Sequence, residues 1–247
     1  MNILAIGNSF SQDATRYLYD IALEDNVHLK VVNLYIGGCS LETHWNNALN
    51  NSSAYSYELN GKSTGKMISI KDALTSDKWD YVTLQQVSHR SINYDTYQPY
   101  LTNLSNYVKQ YAPQAQQVIH QTWAYEEGFE RLTIELGYSS QYDMFCDLKS
   151  AYEKASRDLG NLKIIPSGEA FQIAIKNGIK HLHRDGFHAS LGAGRYLLGA
   201  VWYECLTGRS IMHNAFNKLD EPISNEEISI LKKCAHEAVV KYGWTNR

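Results

Sequence analysis

Short apolar runs that stop at a glycine or proline and give way to helical periodicity recur along this chain. That alternation limits its possible folds more than any other feature. Ile3 to Ile6 ends at Gly7, and Tyr17, Leu18, Ile21 and Ala22 then repeat at helical spacing. Val31 to Ile36 ends at Gly37-Gly38; Trp79 to Leu84, Val118 to Trp123 and Leu162 to Ile165 read as later strands, the last stopped by Pro166. Helical patterns separate them over Tyr97 to Tyr111, Met144 to Leu159 and Ala170 to Lys176, with a short one over Lys71 to Ser76. Two more follow, from about Leu191 to Leu206 and from about Asn225 to Tyr242. This order predicts an α/β fold of three layers, with a mainly parallel central sheet and helices on both faces. Tyr55 to Ile70 departs from it. Residues there alternate on either side of Asn60-Gly61, which predicts an inserted β-hairpin. The chain contains no linker, repeat or low-complexity tract, so a single domain over residues 1–247 is expected.

Composition removes several function classes. A net charge of -3 with no basic run leaves no electrostatic footprint for nucleic acid. Cys39, Cys146, Cys205 and Cys234 are widely spaced and form no C-x-x-C pair, so they read as free thiols, mostly small buried hydrophobes. The apolar start is too short for a signal peptide or a membrane span, and a cytoplasmic protein with no membrane partner is the simplest expectation. No phosphate-binding glycine motif occurs, so no nucleotide cofactor is indicated. The 18 tyrosines and 5 tryptophans outnumber the 6 phenylalanines; rings with a polar edge suit wet clefts and sugar surfaces as well as ordinary interfaces.

Ligands of open α/β sheets bind beyond the carboxyl ends of the strands. Gly7-Asn8-Ser9-Phe10-Ser11, Ile36-Gly37-Gly38-Cys39 and Leu84-Gln85-Gln86 all fall at such ends. Ser9, between a strand and a helix, is placed to attack an acyl group beside outward-pointing N–H donors, or simply to cap the helix. Asp185-Gly186-Phe187-His188 lies in the loop before a late helix. Its carboxylate can fix the imidazole tautomer while the other ring nitrogen faces a serine; the plainer reading is a helix cap and a surface histidine.

Together these segments resemble the SGNH (GDSL-like) hydrolase superfamily in order and spacing over nearly the whole chain. Gly7-Asn8-Ser9 resembles its first block, Gly38 its second-block glycine, and Asp185-Gly186-Phe187-His188 its fifth block. The resemblance implies a flavodoxin-like sheet, a Ser9-His188-Asp185 triad, and an oxyanion hole formed by the N–H groups of Ser9 and Gly38 with a third-block amide. It implies no metal and no cofactor. Two departures stand out. Asn8 replaces the usual aspartate, and Leu84-Gln85-Gln86-Val87-Ser88-His89 lacks the usual Gly-x-Asn. The third donor role is carried to Gln86, with Gln85, Ser88 and His89 as alternatives. Trp79 to Gln86, Gln121 to Tyr125 and Ile165 to Gly168 carry a narrower likeness to a branch resembling carbohydrate esterases. The implied function is hydrolysis of a small O-acyl ester, on a saccharide. Glycan binding without catalysis and acyl transfer between sugars are the rival readings.

Trp123 and Tyr125, just past a strand end, are expected either to stack on substrate or to pack, and Tyr35 and Trp45 share that choice. His181, His183 and His188 lie close together, but no cysteine or H-E-x-x-H pattern supports zinc. Glu126, Glu127 and Glu130 read as a solvated face, and Gly192 and Gly194 as residues that let a helix pack closely.

Overall fold

The computed structural model describes residues 1–244, so the last three residues of the expected 1–247 span lie outside the described part. Seven strands form one sheet: β1 (Asn2–Gly7), β2 (Lys30–Tyr35), β3 (Tyr55–Leu59), β4 (Lys62–Ile68), β5 (Tyr81–Leu84), β6 (Gln116–Gln121) and β7 (Ile164–Pro166). Their order is β4-β3-β2-β1-β5-β6-β7. All pairings from β2 through β7 by way of β1 are parallel, whereas β3 and β4 join antiparallel at one edge. Ile3, Leu4, Ala5 and Ile6 are at most 1% exposed. Both faces of β1 are therefore covered, which is why its sequence is a continuous apolar run and not an alternating one.

Nine α-helices surround the sheet among the described residues: α1 (Ser9–Thr15), α2 (Leu18–Glu24), α3 (Leu41–Leu49), α4 (Ile70–Thr75), α5 (Tyr100–Tyr111), α6 (Gln141–Asp158), α7 (Ser167–Lys176), α8 (Ala193–Thr207) and α9 (Asn225–Lys241). α8 packs against α1, α2, α7 and α9 on one face, while α3, α4 and α5 pack together on the other. α8 is apolar nearly all round and buried from Tyr196 to Leu206, as a helix wrapped on every side must be. Its entry is tight: a Cβ on Gly192 would lie 2.4 Å from the Glu221 carbonyl oxygen, and one on Gly194 2.4 Å from that of Leu182. This is the close packing expected of both glycines.

The hairpin forms where the alternation predicts it. Asn60 and Gly61 both take positive φ, 51° and 76°, which a two-residue hairpin turn needs. Glycine is required at 61 for a second reason, because a Cβ there would sit 2.2 Å from the Arg16 carbonyl oxygen. β4 is the outer edge, and it is exposed and lysine-bearing, which discourages strand addition.

Three local expectations differ from what is found. The segment after β1 is two short helices instead of one, joined at Arg16-Tyr17. α3 is a helix additional to those expected: Leu41, Trp45 and Ala48 recur at i, i+4 and i+7, and Ser40 starts it by accepting from the Thr43 N–H. The polar connection from Ala124 to Gly137 contains a π-helical turn, Arg131–Glu135. All four cysteines are free; Cys39, Cys205 and Cys234 are buried and Cys146 is exposed.

Candidate active site

The parallel strand order β2-β1-β5-β6-β7 reverses direction beside β1, and a crevice opens there at the carboxyl ends. Residues from five connections meet in it: Asn8, Ser9 and Phe10 after β1; Gly37 and Gly38 after β2; Val87, Ser88 and His89 after β5; Arg131 after β6; and Phe187 and His188 from the loop before α8. The cleft has a volume of about 370 Å³, within the range of small-molecule sites.

Ser9 and His188 line it, and with Asp185 behind His188 they form a continuous chain. His188 Nδ1 donates to Asp185 Oδ2 at 2.7 Å, which leaves Nε2 to accept from Ser9 Oγ at 2.9 Å. Asp185 Oδ1 also accepts the backbone N–H of His188 at 2.9 Å, so the carboxylate holds both the ring and the backbone that bears it. Partial burial pushes the Asp185 carboxyl up, but the bonds from the His188 ring and backbone outweigh it and hold the group below the ordinary aspartate value. Asp185 is therefore ionised throughout the neutral range.

Asn8 sets where Ser9 stands. Its Oδ1 accepts from the Phe10 N–H at 3.0 Å, capping α1, and from Gln85 Nε2 at 2.8 Å. Its Nδ2 donates to the Cys39 carbonyl at 3.0 Å and so ties the first connection to the second. Gln85 Oε1 in turn meets His120 Nδ1 at 2.7 Å, and His120 Nε2 meets Ser167 Oγ at 3.0 Å. Burial drives the His120 pKa down to about 3, so its ring is neutral; Nδ1 donates to Gln85 and Nε2 accepts from Ser167. A buried polar chain thus crosses the ends of β1, β5, β6 and β7 beneath the serine. Asparagine is needed at position 8 because an aspartate has no donor for Cys39. Asn8→Asp should lower stability by about 1–3 kcal/mol, from a buried carbonyl left unpaired and facing a carboxylate. A urea melt checks this, and an unchanged midpoint would show that the amide bond contributes nothing.

Ser9 and Gly38 both line the cleft, and among the described residues neither N–H donates to a protein acceptor. Ser9 is the first residue of α1, so its N–H has no intrahelical acceptor. Gly38 has φ of +64°, a conformation that suits glycine, and among the described residues its N–H donates to no protein acceptor. The third-block donor expected from Gln86 is not there. Gln86 is fully buried, with Oε1 accepting from Leu41 and Val87 and Nε2 donating to Thr96. Its amide is consumed in bracing the loop. Gln85 is likewise engaged, which leaves Ser88 and His89 as the polar third-block residues that reach the cleft.

Trp123 and Tyr125 are also corrected. Both are fully buried and neither lines the cleft. Trp123 stacks between Phe10, at 4.2 Å, and Phe171, at 4.9 Å, and its Nε1 donates to the Phe187 carbonyl at 2.9 Å. Tyr125 meets Ser88 Oγ at 2.9 Å through its hydroxyl. These rings support the loops that form the cleft and do not face a substrate. Tyr35 does line it, whereas Trp45 packs edge-on against Tyr107.

The structure adds residues that the sequence reading missed. Asp13, fully buried one turn beyond Ser9, receives Arg184 Nη1 at 3.0 Å, Arg195 Nε at 2.8 Å and the Ala189 N–H at 3.1 Å. It anchors the helix that carries Ser9 to the loop that carries His188. Phe187 and Arg131 complete one wall. His183 is turned away, with Nε2 3.0 Å from the Ala124 carbonyl oxygen, and Glu127 accepts the Gln141 N–H at the start of α6. Among the described residues no cluster of three or more His, Cys, Asp or Glu side chains is arranged to hold a metal ion. No described helix is long and apolar enough to cross a membrane.

Comparison with known proteins places this geometry. The family described as "Domain of unknown function (DUF4886)" matches residues 2–238. A DUF4886 family protein from Bacteroides uniformis ATCC 8492 is 36% identical, with 97% of this chain and 95% of that one covered and a TM-score of 0.91. A candidate SGNH hydrolase from Slackia heliotrinireducens is 27% identical, covering 83% of this chain and 97% of its own, with a TM-score of 0.59. A candidate GDSL-like lipase from Parabacteroides merdae ATCC 43184, 18% identical with a TM-score of 0.55 over 82% of this chain and 94% of that one, shares the fold. No curated protein matches the sequence. The chain belongs to the DUF4886 family, a branch of the SGNH hydrolase superfamily.

Proposed function

We propose that this protein is a serine esterase that removes a small O-acyl group from a saccharide. The observation that carries the reading is the alignment of Ser9 Oγ, the His188 ring and Asp185 at 2.9 and 2.7 Å, at the edge of a cleft open to solvent. His188 Nε2 takes the proton as Ser9 Oγ attacks the ester carbonyl, and Asp185 stabilises the resulting imidazolium. The N–H groups of Ser9 and Gly38 receive the oxyanion, with Ser88 or His89 as the third-block contribution in place of Gln86. The imidazolium then protonates the departing sugar oxygen, and water deprotonated by the same ring releases the acid from Ser9. Tyr35 and Phe187, half-buried on the cleft wall, replace Trp123 and Tyr125 as the rings against which a sugar would lie.

An organophosphonate ester that traps activated serines tests the assignment. One equivalent should be incorporated, peptide mass spectrometry should place it on Ser9, and hydrolysis of p-nitrophenyl acetate should cease in proportion. Adducts on Ser11 or Ser88, or full activity after stoichiometric labelling, would overturn it.

A further inference from the structure

We propose that Arg131 binds a carboxylate on the leaving-group side of the substrate, so that the preferred ester is an O-acylated acidic saccharide of the uronic-acid type. This rests on the esterase reading for the chemistry, but the binding itself can be judged separately.

Arg131 lines the same cleft as Ser9 and His188. Its guanidinium lies 5.1 Å from the centre of the Phe187 ring and 5.6 Å from that of Tyr125, so two aromatic faces hold it in place. Only Nε is engaged, by Glu135 at 2.9 Å; among the described residues neither terminal nitrogen donates to a protein acceptor. The two side chains of that ion pair are 34% and 57% exposed, and such pairs are worth at most about 1 kcal/mol. A substrate carboxylate therefore finds two parallel N–H donors free, the geometry that arginine offers and lysine does not.

The surrounding charges agree. No aspartate or glutamate lines the cleft, and Arg131 is the one fixed charge among its lining residues. His89 on the same wall is held below the ordinary histidine value by partial burial and by Arg90 and Arg131, against a smaller opposing effect of Glu135. Nearby Arg90 is paired with Glu42 at 2.9 Å, and Asp185 is committed to His188.

Geometry selects which part of the ester carries the anion. His188 must deliver its proton to the leaving oxygen, so the alcohol half lies on the His188 side. The Phe187 ring centre is 3.9 Å from that of His188, and Arg131 stacks on Phe187. The charge it meets belongs to the sugar and not to the acyl group.

The test compares kcat/KM for an O-acetylated galacturonate oligomer with that for an O-acetylated xylose oligomer, in the wild type and in Arg131→Gln. The acidic-to-neutral ratio should exceed one in the wild type, fall about tenfold or more in the variant, and recover in part in Arg131→Lys. An unchanged ratio, or a wild type that favours the neutral oligomer, overturns the proposal. So does an Arg131 dependence seen only for a hemisuccinate ester of a neutral sugar, which would move the carboxylate to the acyl side. Calorimetric binding of free galacturonate and galactose to Ser9→Ala, with and without Arg131→Gln, needs no turnover. Galacturonate binding weakened about tenfold by the arginine change supports the subsite even if the esterase reading fails; equal binding of both sugars in both proteins overturns it.

Discussion

Ser9→Ala should lower kcat for ester hydrolysis by up to about a million-fold, and His188→Ala by nearly as much, with the double variant little worse than either. The reason is that the two side chains act as one unit. A hydroxyl without its base is a poor nucleophile, and a base without its hydroxyl has only water to activate. What survives is the contribution of the Ser9 and Gly38 N–H groups, each donor in such a hole being worth about a hundred- to a thousand-fold. Asp185→Asn should cost less than either, because the carboxylate is 44% exposed and water can partly replace it. Its amide would nevertheless offer a donor to Nδ1 and favour the wrong tautomer. Among the described residues the Ser9 side chain bonds only to His188, so circular dichroism of Ser9→Ala should match the wild type. Steady-state rates on p-nitrophenyl acetate and on an acetylated glycan give the comparison. Equal turnover by Ser9→Ala and wild type would sink the triad and bring the binding-protein reading forward.

Asp13→Ala should destabilise the fold by about 3–5 kcal/mol, the usual cost of removing one member of a buried ion pair. The carboxylate is fully buried, and Arg184 and Arg195 both converge on it, with Arg195 and Arg16 also sharing Asp220. Removing it leaves the 13%-exposed Arg195 side chain with half its compensation and releases the Ala189 N–H. Against a total stability of about 5–15 kcal/mol this is a large fraction. Asp13→Asn keeps the shape and some of the hydrogen bonds, so it should fall between. Among the described residues the Asp13 side chain hydrogen-bonds to neither the Ser9 nor the His188 side chain, yet it locks their two segments together. The folded fraction of Asp13→Asn should therefore lose kcat about a hundredfold, the effect of roughly 1 Å of misplacement, with KM nearly unchanged. Urea melts and kcat against KM on the folded fraction separate the two effects. A stable Asp13→Asn with wild-type kcat would reduce Asp13 to a surface-like role.

The strands were legible because a sheet covered on both faces favours apolar runs: Ile3 to Ile6 is continuous, Val31 to Ile36 is broken only by Asn33, and Trp79 to Leu84 is mostly apolar. The hairpin was legible because Asn60-Gly61 is one of few dipeptides that take two positive φ values cheaply. α3 does carry a signal, with Leu41, Trp45 and Ala48 at i, i+4 and i+7 behind the Ser40 cap, whereas the five residues of the π-helical turn are too few to show a period.

The same division runs through the candidate site. Ser9, Asp185 and His188 could be read as candidates from order and spacing, because a serine after a strand and an Asp-x-x-His in one short loop are local arrangements, whereas Gly38 came only from the family resemblance. Local sequence also explains why Asp185 finds His188, three residues away on the same turn. Which amide faces the cleft is a different kind of fact. Gln86 was a reasonable donor by position, but its side chain is drawn into the Leu41, Val87 and Thr96 contacts, and Trp123 into a stack with Phe10 and Phe171. The partnership of Asp13 with Arg184 and Arg195 spans more than 170 residues, and no spacing announces it. Sequence by itself determined the layer order and offered Ser9, Asp185 and His188 as candidates, because periodicity and short loops are set by neighbouring residues. Only the tertiary structure decided which polar groups remain free at the cleft, because in a close-packed interior a buried donor is claimed by whichever acceptor the fold brings nearest.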